Sequence, residues 1–190
     1  TLSLDVSLRD LFESQDLAAF VRSALQEPPA TAATPTFALA DRSQPLALSY
    51  AQQRQWILWQ LEPDSAAYNI PAALRLNGSL DSQALRRSFE TLIARHETLR
   101  TTFREEGEQA VQVIHPATAF ALAVERLPDE LASEREVAIR EYVEAEVGRP
   151  FDLVRGPLLR VRLLQLGETE HVLVLTLHHI VADGWSMPIM

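Results

Sequence analysis

Apolar side chains recur along this chain in two rhythms, one helical and one of period two. Leu85, Phe89, Leu92 and Ile93 share the three-to-four spacing of one helix face. They predict an amphipathic helix over 82–96 with Asp81 as its cap. A second helix is predicted over 130–147, with Val137, Ile139, Val143 and Val147 inward, Arg135 and Arg140 outward, and Gly148 at its end. Ser49-Tyr-Ala-Gln52 has the capping-box form, in which the Ser49 hydroxyl accepts from the Gln52 N–H and the Gln52 side chain reaches back. The helix it opens runs to about 61, with Ala51, Trp56 and Trp59 near one face, a pattern more usual for core than for a ligand platform. Near the start, Leu8, Leu11, Phe12, Leu17, Phe20, Val21 and Leu25 predict short helices over 7–13 and 16–26, the second capped by Asp16.

Period two appears at 158–166, where Leu159, Val161 and Leu163 alternate with Arg160 and Arg162, as in a strand with one wet face. Residues 172–177 are apolar at nearly every position and predict a strand buried on both faces, hence central. A strand is expected over 68–76 before the turn Asn77-Gly78, and a hairpin over 101–106 and 109–115 around Gly107. Strands alternating with helices indicate a layered α/β or α+β domain. Pro28, Pro29, Pro35 and Pro45 interrupt a stretch of alanines and threonines, which reads as an extended linker. Three regions are therefore expected: the tail of a small all-α domain at 1–26, a linker at 27–46, and an α/β domain at 47–190.

Composition narrows the function classes. A chain of 190 residues that is 47% apolar buries a real core. No apolar run approaches the length of a membrane span. The net charge of -9 argues against a nucleic-acid partner, and zero cysteines exclude disulfides, thiolate metal sites and cysteine nucleophiles. The start lacks a methionine and a signal-peptide pattern and reads as the inside of a longer, cytoplasmic protein.

The chemistry gathers at the end, in His178-His179-Ile-Val-Ala-Asp183-Gly184-Trp185-Ser186. Side chains alternate across a strand, so the two histidines should face opposite ways, which argues against their chelating one metal ion. Ser186 lacks the surroundings of a nucleophile elbow. From the residues alone two readings stand. The histidines are hydrogen-bonded core residues beside a turn, or His179 is a strand-held imidazole that takes a proton from an attacking amine or hydroxyl. In the active reading Asp183 shapes the loop and, being buried, pairs with Arg95 or Arg100. Gly184 then allows close backbone approach, and its N–H faces a developing oxyanion. The charged cluster Arg95-His96-Glu97-Thr98-Leu99-Arg100-Thr101-Thr102-Phe103 reads, by itself, as solvated charge at a helix end.

The terminal stretch resembles the HHxxxDG motif of condensation domains of nonribosomal peptide synthetases. Leu48-Ser49-Tyr50-Ala51-Gln52-Gln53-Arg54-Gln55-Trp56 and Arg95–Phe103 resemble that family's first two motifs, in order and spacing. Residues 1–26, notably Ser7-Leu8-Arg9-Asp10-Leu11-Phe12-Glu13, are similar to the last helices of a carrier protein.

The resemblance implies a chloramphenicol-acetyltransferase-like fold of two lobes, of which this chain would be the N-terminal one. It implies peptide-bond formation, with a carrier-bound aminoacyl acceptor attacking a carrier-bound acyl or peptidyl donor thioester. His179 would be the central catalytic residue, and His178 would face inward. Asp183 would pair with arginine, Arg100 rather than Arg95. Ser49, Gln52, Trp185 and Ser186 would support the site with Gly184. The implied partners are donor and acceptor carrier domains, whose phosphopantetheine arms carry the substrates, a C-terminal lobe, and a neighbouring adenylation domain. No metal is expected. No cofactor is expected to attach within these residues, and the 190 residues alone are expected to condense nothing.

Related outputs fit the residues less well. Epimerisation domains share the paired histidines, but the Gly184-Trp185-Ser186 continuation favours condensation. Cyclisation domains carry aspartate in place of the histidines. Lipid acyltransferases with His-x4-Asp match only His178 and Asp183. A non-catalytic fragment that docks a carrier protein is the remaining alternative.

Overall fold

The computed structural model describes residues 16–26, 40–128 and 134–189. The chain divides into two compact units, residues 1–41 and 42–190. In the first, α1 (Leu17–Gln26) starts where expected: Asp16 Oδ1 accepts the Ala19 N–H at 2.7 Å, satisfying one free donor of the first turn. The expected helix at 7–13 and the linker segment 27–39 lie outside the described residues.

The second unit contains a four-stranded and a three-stranded sheet. The larger has the order β2 (Asn69–Asn77), β7 (Glu170–His178), β6 (Leu159–Gln165), β5 (Ala123–Arg126). β7 pairs antiparallel with β2 and β6, and β5 is parallel to β6. The strand expected to be central is interior, with Val172 through His178 all buried. The smaller sheet joins β1 (Leu46–Ala47), β4 (Gln109–Ile114) and β3 (Thr101–Glu106). Leu46 pairs with Gln112, so the ordered unit reaches back into the stretch expected to be linker.

Helices cover both faces of the larger sheet. α3 (Ser82–Arg95) lays Phe89, Leu85, Leu92 and Ile93 against Leu159, Val161 and Leu163 of β6 and Leu173, Leu175 and Leu177 of β7. Its N-cap is Asp81, which accepts the Ala84 N–H at 2.9 Å. On the other face, Ile139, Tyr142 and Val143 of α4 (Arg135–Val147) meet Leu164, Val172 and Val174. Val137, expected inward, is exposed. The stripe that faces the sheet is 139, 142, 143 and 146, the i, i+3, i+4, i+7 set, and residue 137 lies off it. The expected segment 130–133 falls outside the described residues.

That stripe ends in a carboxylate, and this changes the reading of β6. Arg160 and Arg162 are only partly exposed. They lie under α4, where the buried Glu146 accepts from Arg160 Nε at 2.6 Å and Arg162 Nε at 3.0 Å, with Arg149 at 2.8 Å. Arg160 also stacks over the Phe151 ring, 3.8 Å from its centroid. An alternating strand is wet on its polar face only when nothing covers that face, and here a helix brings the counter-charge with it.

A third cluster joins α2 (Tyr50–Leu61) to the smaller sheet and to the end of β7: Leu48, Trp56, Phe103, Phe151, Leu153, Leu158, Ile180 and Val181. Trp56 is buried, stacked near Trp59 and Phe103, while Trp59 donates its indole N–H to the Phe151 carbonyl at 3.0 Å. Gly156 is required by geometry. Its φ is +61°, and a Cβ there would sit 2.9 Å from Thr102 Cγ2.

Candidate active site

The site begins at the C-terminal end of β7, where the two histidines part. His178, the last residue of the strand, is buried between Tyr68 and the edge-on ring of Phe151 (centroids 6.4 and 6.0 Å away). Its Nδ1 accepts the Ile180 N–H at 3.1 Å, so the neutral ring carries its proton on Nε2. Desolvation, reinforced by the neighbouring His179, pushes its pKa down to about 4. The ring is therefore neutral at neutral pH and closes the turn. His179 leaves the strand with its N–H bonded to the Tyr68 carbonyl at 2.9 Å and its side chain exposed.

Helix α2 holds the turn from one side. The Ser49–Gln52 capping box is formed in both directions, at 3.3 and 3.0 Å. The Gln52 amide also donates to the Ile180 carbonyl at 3.3 Å, one residue past His179. One turn further along, Gln55 places its amide nitrogen 3.4 Å from His179 Nδ1. The capping pattern points to Gln52 and not to Gln55. A signal for Gln55 was present, since the two lie at i and i+3 and share a helix face.

Asp183 is exposed, which removes the reason for the ion pair expected with Arg100 or Arg95, and neither pair is formed. Its Oδ1 accepts the Ser186 hydroxyl at 2.7 Å, the Ser186 N–H at 2.9 Å and the Trp185 N–H at 3.1 Å. The Ser186 hydroxyl first, then the loop N–H groups, hold the carboxyl below its ordinary pKa. A carboxylate in water with three local donors needs no arginine. Arg100 instead donates to the His115 carbonyl and lies 3.5 Å from Glu97, while Arg95 is exposed in the last turn of α3.

The second motif still meets the third. His96, Thr98 and Leu99 face Val181, Ala182 and Ser186 across a small cavity of about 100 Å³. A larger cavity, about 680 Å³, opens beside Arg100, Thr102, His115 and Phe120 and includes neither histidine of the pair. Gly184 and Trp185 are exposed; a Cβ on Gly184 would meet nothing within 4 Å, and its φ is not left-handed. Nothing among the described residues thus dictates glycine there. Among the described residues, no group of three His, Cys, Asp or Glu side chains is placed to hold a metal ion, and no helix is long and apolar enough to cross a membrane.

The surface that results offers an imidazole held through one nitrogen, a tight turn shaped by Oδ1 of its aspartate, and a bare glycine backbone. An exposed imidazole of this kind can accept or donate a proton near neutral pH. The family model "Condensation domain" matches residues 42–190. A linear gramicidin synthase of Brevibacillus parabrevis is 46% identical over 98% of this chain, and chondramide synthase cmdD of Chondromyces crocatus is 48% identical over 75% of it. The chain spans 2% and 4% of those proteins.

Among solved structures, the starter condensation domain of rhizomide synthetase RzmA aligns with a TM-score of 0.69 and 27% identity, covering 77% of this chain and 35% of that one. The X-domain from teicoplanin biosynthesis aligns with a TM-score of 0.66 and 34% identity, covering 80% and 31%. From a match that runs from Arg42 through both histidines to the last residue, the chain belongs to the condensation-domain family of nonribosomal peptide synthetases.

Proposed function

We propose that this chain contributes the His179 face of an amide-forming site. In that site an aminoacyl group on one carrier's phosphopantetheine arm attacks the thioester of an acyl or peptidyl group on another. The amine nitrogen bonds to the thioester carbonyl carbon, the C–S bond breaks, and the sulfur leaves to be protonated as the free thiol. His179 Nε2 takes the proton released by the attacking amine. The Gly184 backbone, with no side chain to obstruct it, lies where the acyl group approaches. Asp183 keeps the loop in shape through Ser186 and Trp185 rather than moving protons.

One observation supports this most: the opposite placement of two adjacent histidines. His178 is buried and spends Nδ1 on its own turn, whereas His179 is exposed with its ring in contact with α2. A core-filling pair would not leave one ring in solvent. The reaction is assigned to the whole condensation domain, of which the chain spans about a third in the solved structures it matches, and not to the 190 residues alone. Residues 1–26 are proposed to end a carrier domain, with 27–46 as the linker after it. The supporting fact is that similarity to the linear gramicidin synthase covers 98% of the chain, more than the family match at 42–190. An adenylation domain would be the further neighbour.

The test is His179→Ala in a complete condensation domain carrying this chain, supplied with loaded donor and acceptor carriers. Amide formation should fall about 10²- to 10⁴-fold, the range for losing one proton-transfer group, with an unchanged melting temperature. Wild-type rates would refute the assignment and favour a docking role for this surface.

A further inference from the structure

The His179 ring touches one side chain of α2, and that side chain has an incomplete hydrogen-bond balance. Gln55 Nε2 lies 3.4 Å from His179 Nδ1, long for a bond from an amide N–H, while Gln55 Oε1 is buried with no donor. Oxygen and nitrogen of an amide exchange places by a half-turn of the terminal torsion without moving any other atom. The two orientations have opposite consequences for the ring. With the nitrogen against Nδ1, the neutral ring must accept there and carry its proton on Nε2, so its outward nitrogen has no lone pair. With the oxygen against Nδ1, the ring donates Nδ1–H, and Nε2 faces outward as an acceptor.

We propose that Gln55 is a positioning residue for His179. Its amide oxygen, turned onto the ring, accepts from Nδ1–H, fixes the ring's orientation and leaves Nε2 unprotonated toward the substrate. The turn gives the buried oxygen the donor it lacks and puts the NH₂ group in the inner position. It also gives α2 a second task beside the Gln52 bond to Ile180, since the same helix face then fixes the turn and sets the tautomer. The inference rests on His179 being the reacting histidine.

The tautomer is read directly from imidazole ¹⁵N shifts in histidine-labelled protein, independently of activity. The wild-type chain should show His179 Nε2 in the unprotonated range and Nδ1 in the protonated one. Gln55→Met, similar in length but without an acceptor oxygen, should collapse this to a mixture. In the complete domain it should lower kcat about 10- to 100-fold, the range for a misplaced group, with KM unchanged. Gln55→Glu, which keeps an oxygen against Nδ1, should restore both the tautomer and most of kcat. A wild-type ring protonated on Nε2, or a Gln55→Met variant with wild-type tautomer and rate, would overturn the proposal. If Gln55 sets the tautomer but His179→Ala still forms amide at the wild-type rate, the catalytic assignment fails and the hold of Gln55 on the ring stands.

Discussion

The burial of His178 should make the protein acid-sensitive through one ring. In the unfolded chain a histidine titrates near 6.5; in the fold the His178 pKa is pushed down to about 4. Above pH 6.5 the ring is neutral in both states and adds no pH dependence. As the pH falls below 6.5 the unfolded state takes up the proton first, so stability is lost progressively until the folded ring also protonates near 4. The gap is about 2.5 pH units, and at about 1.4 kcal/mol per unit the full loss is roughly 3 kcal/mol. Between about pH 7.5 and about pH 4.5 most of it, roughly 2 to 3 kcal/mol, should be spent. For a domain of ordinary stability that is a large fraction of the whole.

The perturbation that isolates this ring is His178→Asn. An asparagine Oδ1 stands close to where Nδ1 stood and can still accept the N–H two residues on, so the Ile180 bond survives. What is lost is the titratable group and the ring packing against Phe151 and Tyr68, about 1 to 3 kcal/mol at neutral pH. Urea unfolding of both proteins across the pH series gives two stability curves, and the other titrating groups cancel in their difference. The wild-type advantage should shrink by roughly 2 to 3 kcal/mol on acidification, so that the variant matches or exceeds wild type near the acid end. Parallel curves would refute the reasoning and mean that the ring is protonated in the fold or reached by water.

Removing Glu146 leaves the partly buried Arg160 without a carboxylate, while Arg162 keeps Glu125 at 2.5 Å, so Glu146→Ala should cost about 3 kcal/mol, read as a lower urea midpoint. Gly156→Ala should destabilise by about 1 kcal/mol or more, because its φ of +61° and the Thr102 methyl 2.9 Å from the added Cβ both oppose a side chain. Asp183→Ala should leave the melting temperature near wild type, since the carboxylate is exposed and its loop donors can turn to water. Its effect should instead appear as broadened amide signals from 184–186. A large loss of stability would revive the buried ion pair.

Where pattern and packing coincide, the elements were legible. The Asp81 cap, the Ser49 capping box, the hairpin around Gly107 and the interior position of β7 all follow from local rules that the tertiary structure leaves intact. What the sequence hid was coverage. Alternation in β6 states that Arg160 and Arg162 share a face, not whether a helix lies over it; only the register that brings Glu146 above them decides that. The edge strand β5 was hidden for a related reason. Ala123–Arg126 has little apolar signal of its own, and its strand geometry comes from parallel pairing with β6.

The same distinction governs the site. His178 and His179 were separable from sequence because side chains alternate along an extended segment, and the separation held although β7 ends at His178 and His179 opens the turn. The partner of Asp183 was not, because a buried aspartate and an exposed one are the same letter, and the ion pair with arginine presupposed burial. A local clue favoured the observed outcome: Asp183-Gly-Trp-Ser186 sets a serine three residues after the carboxylate, where both its N–H and its hydroxyl can reach back. A carboxylate with donors so close in sequence is satisfied before any distant arginine arrives, so the loop fixes its own shape. Arg100 is then released to the His115 carbonyl, and the residue lines the 680 Å³ cavity with its Nε unpartnered. Geometry at His179 thus depends on α2 and on the turn itself, through Gln52, Gln55 and Ser186, and on apolar packing of Leu99 and Phe103 rather than on an ion pair with the arginines at the end of α3.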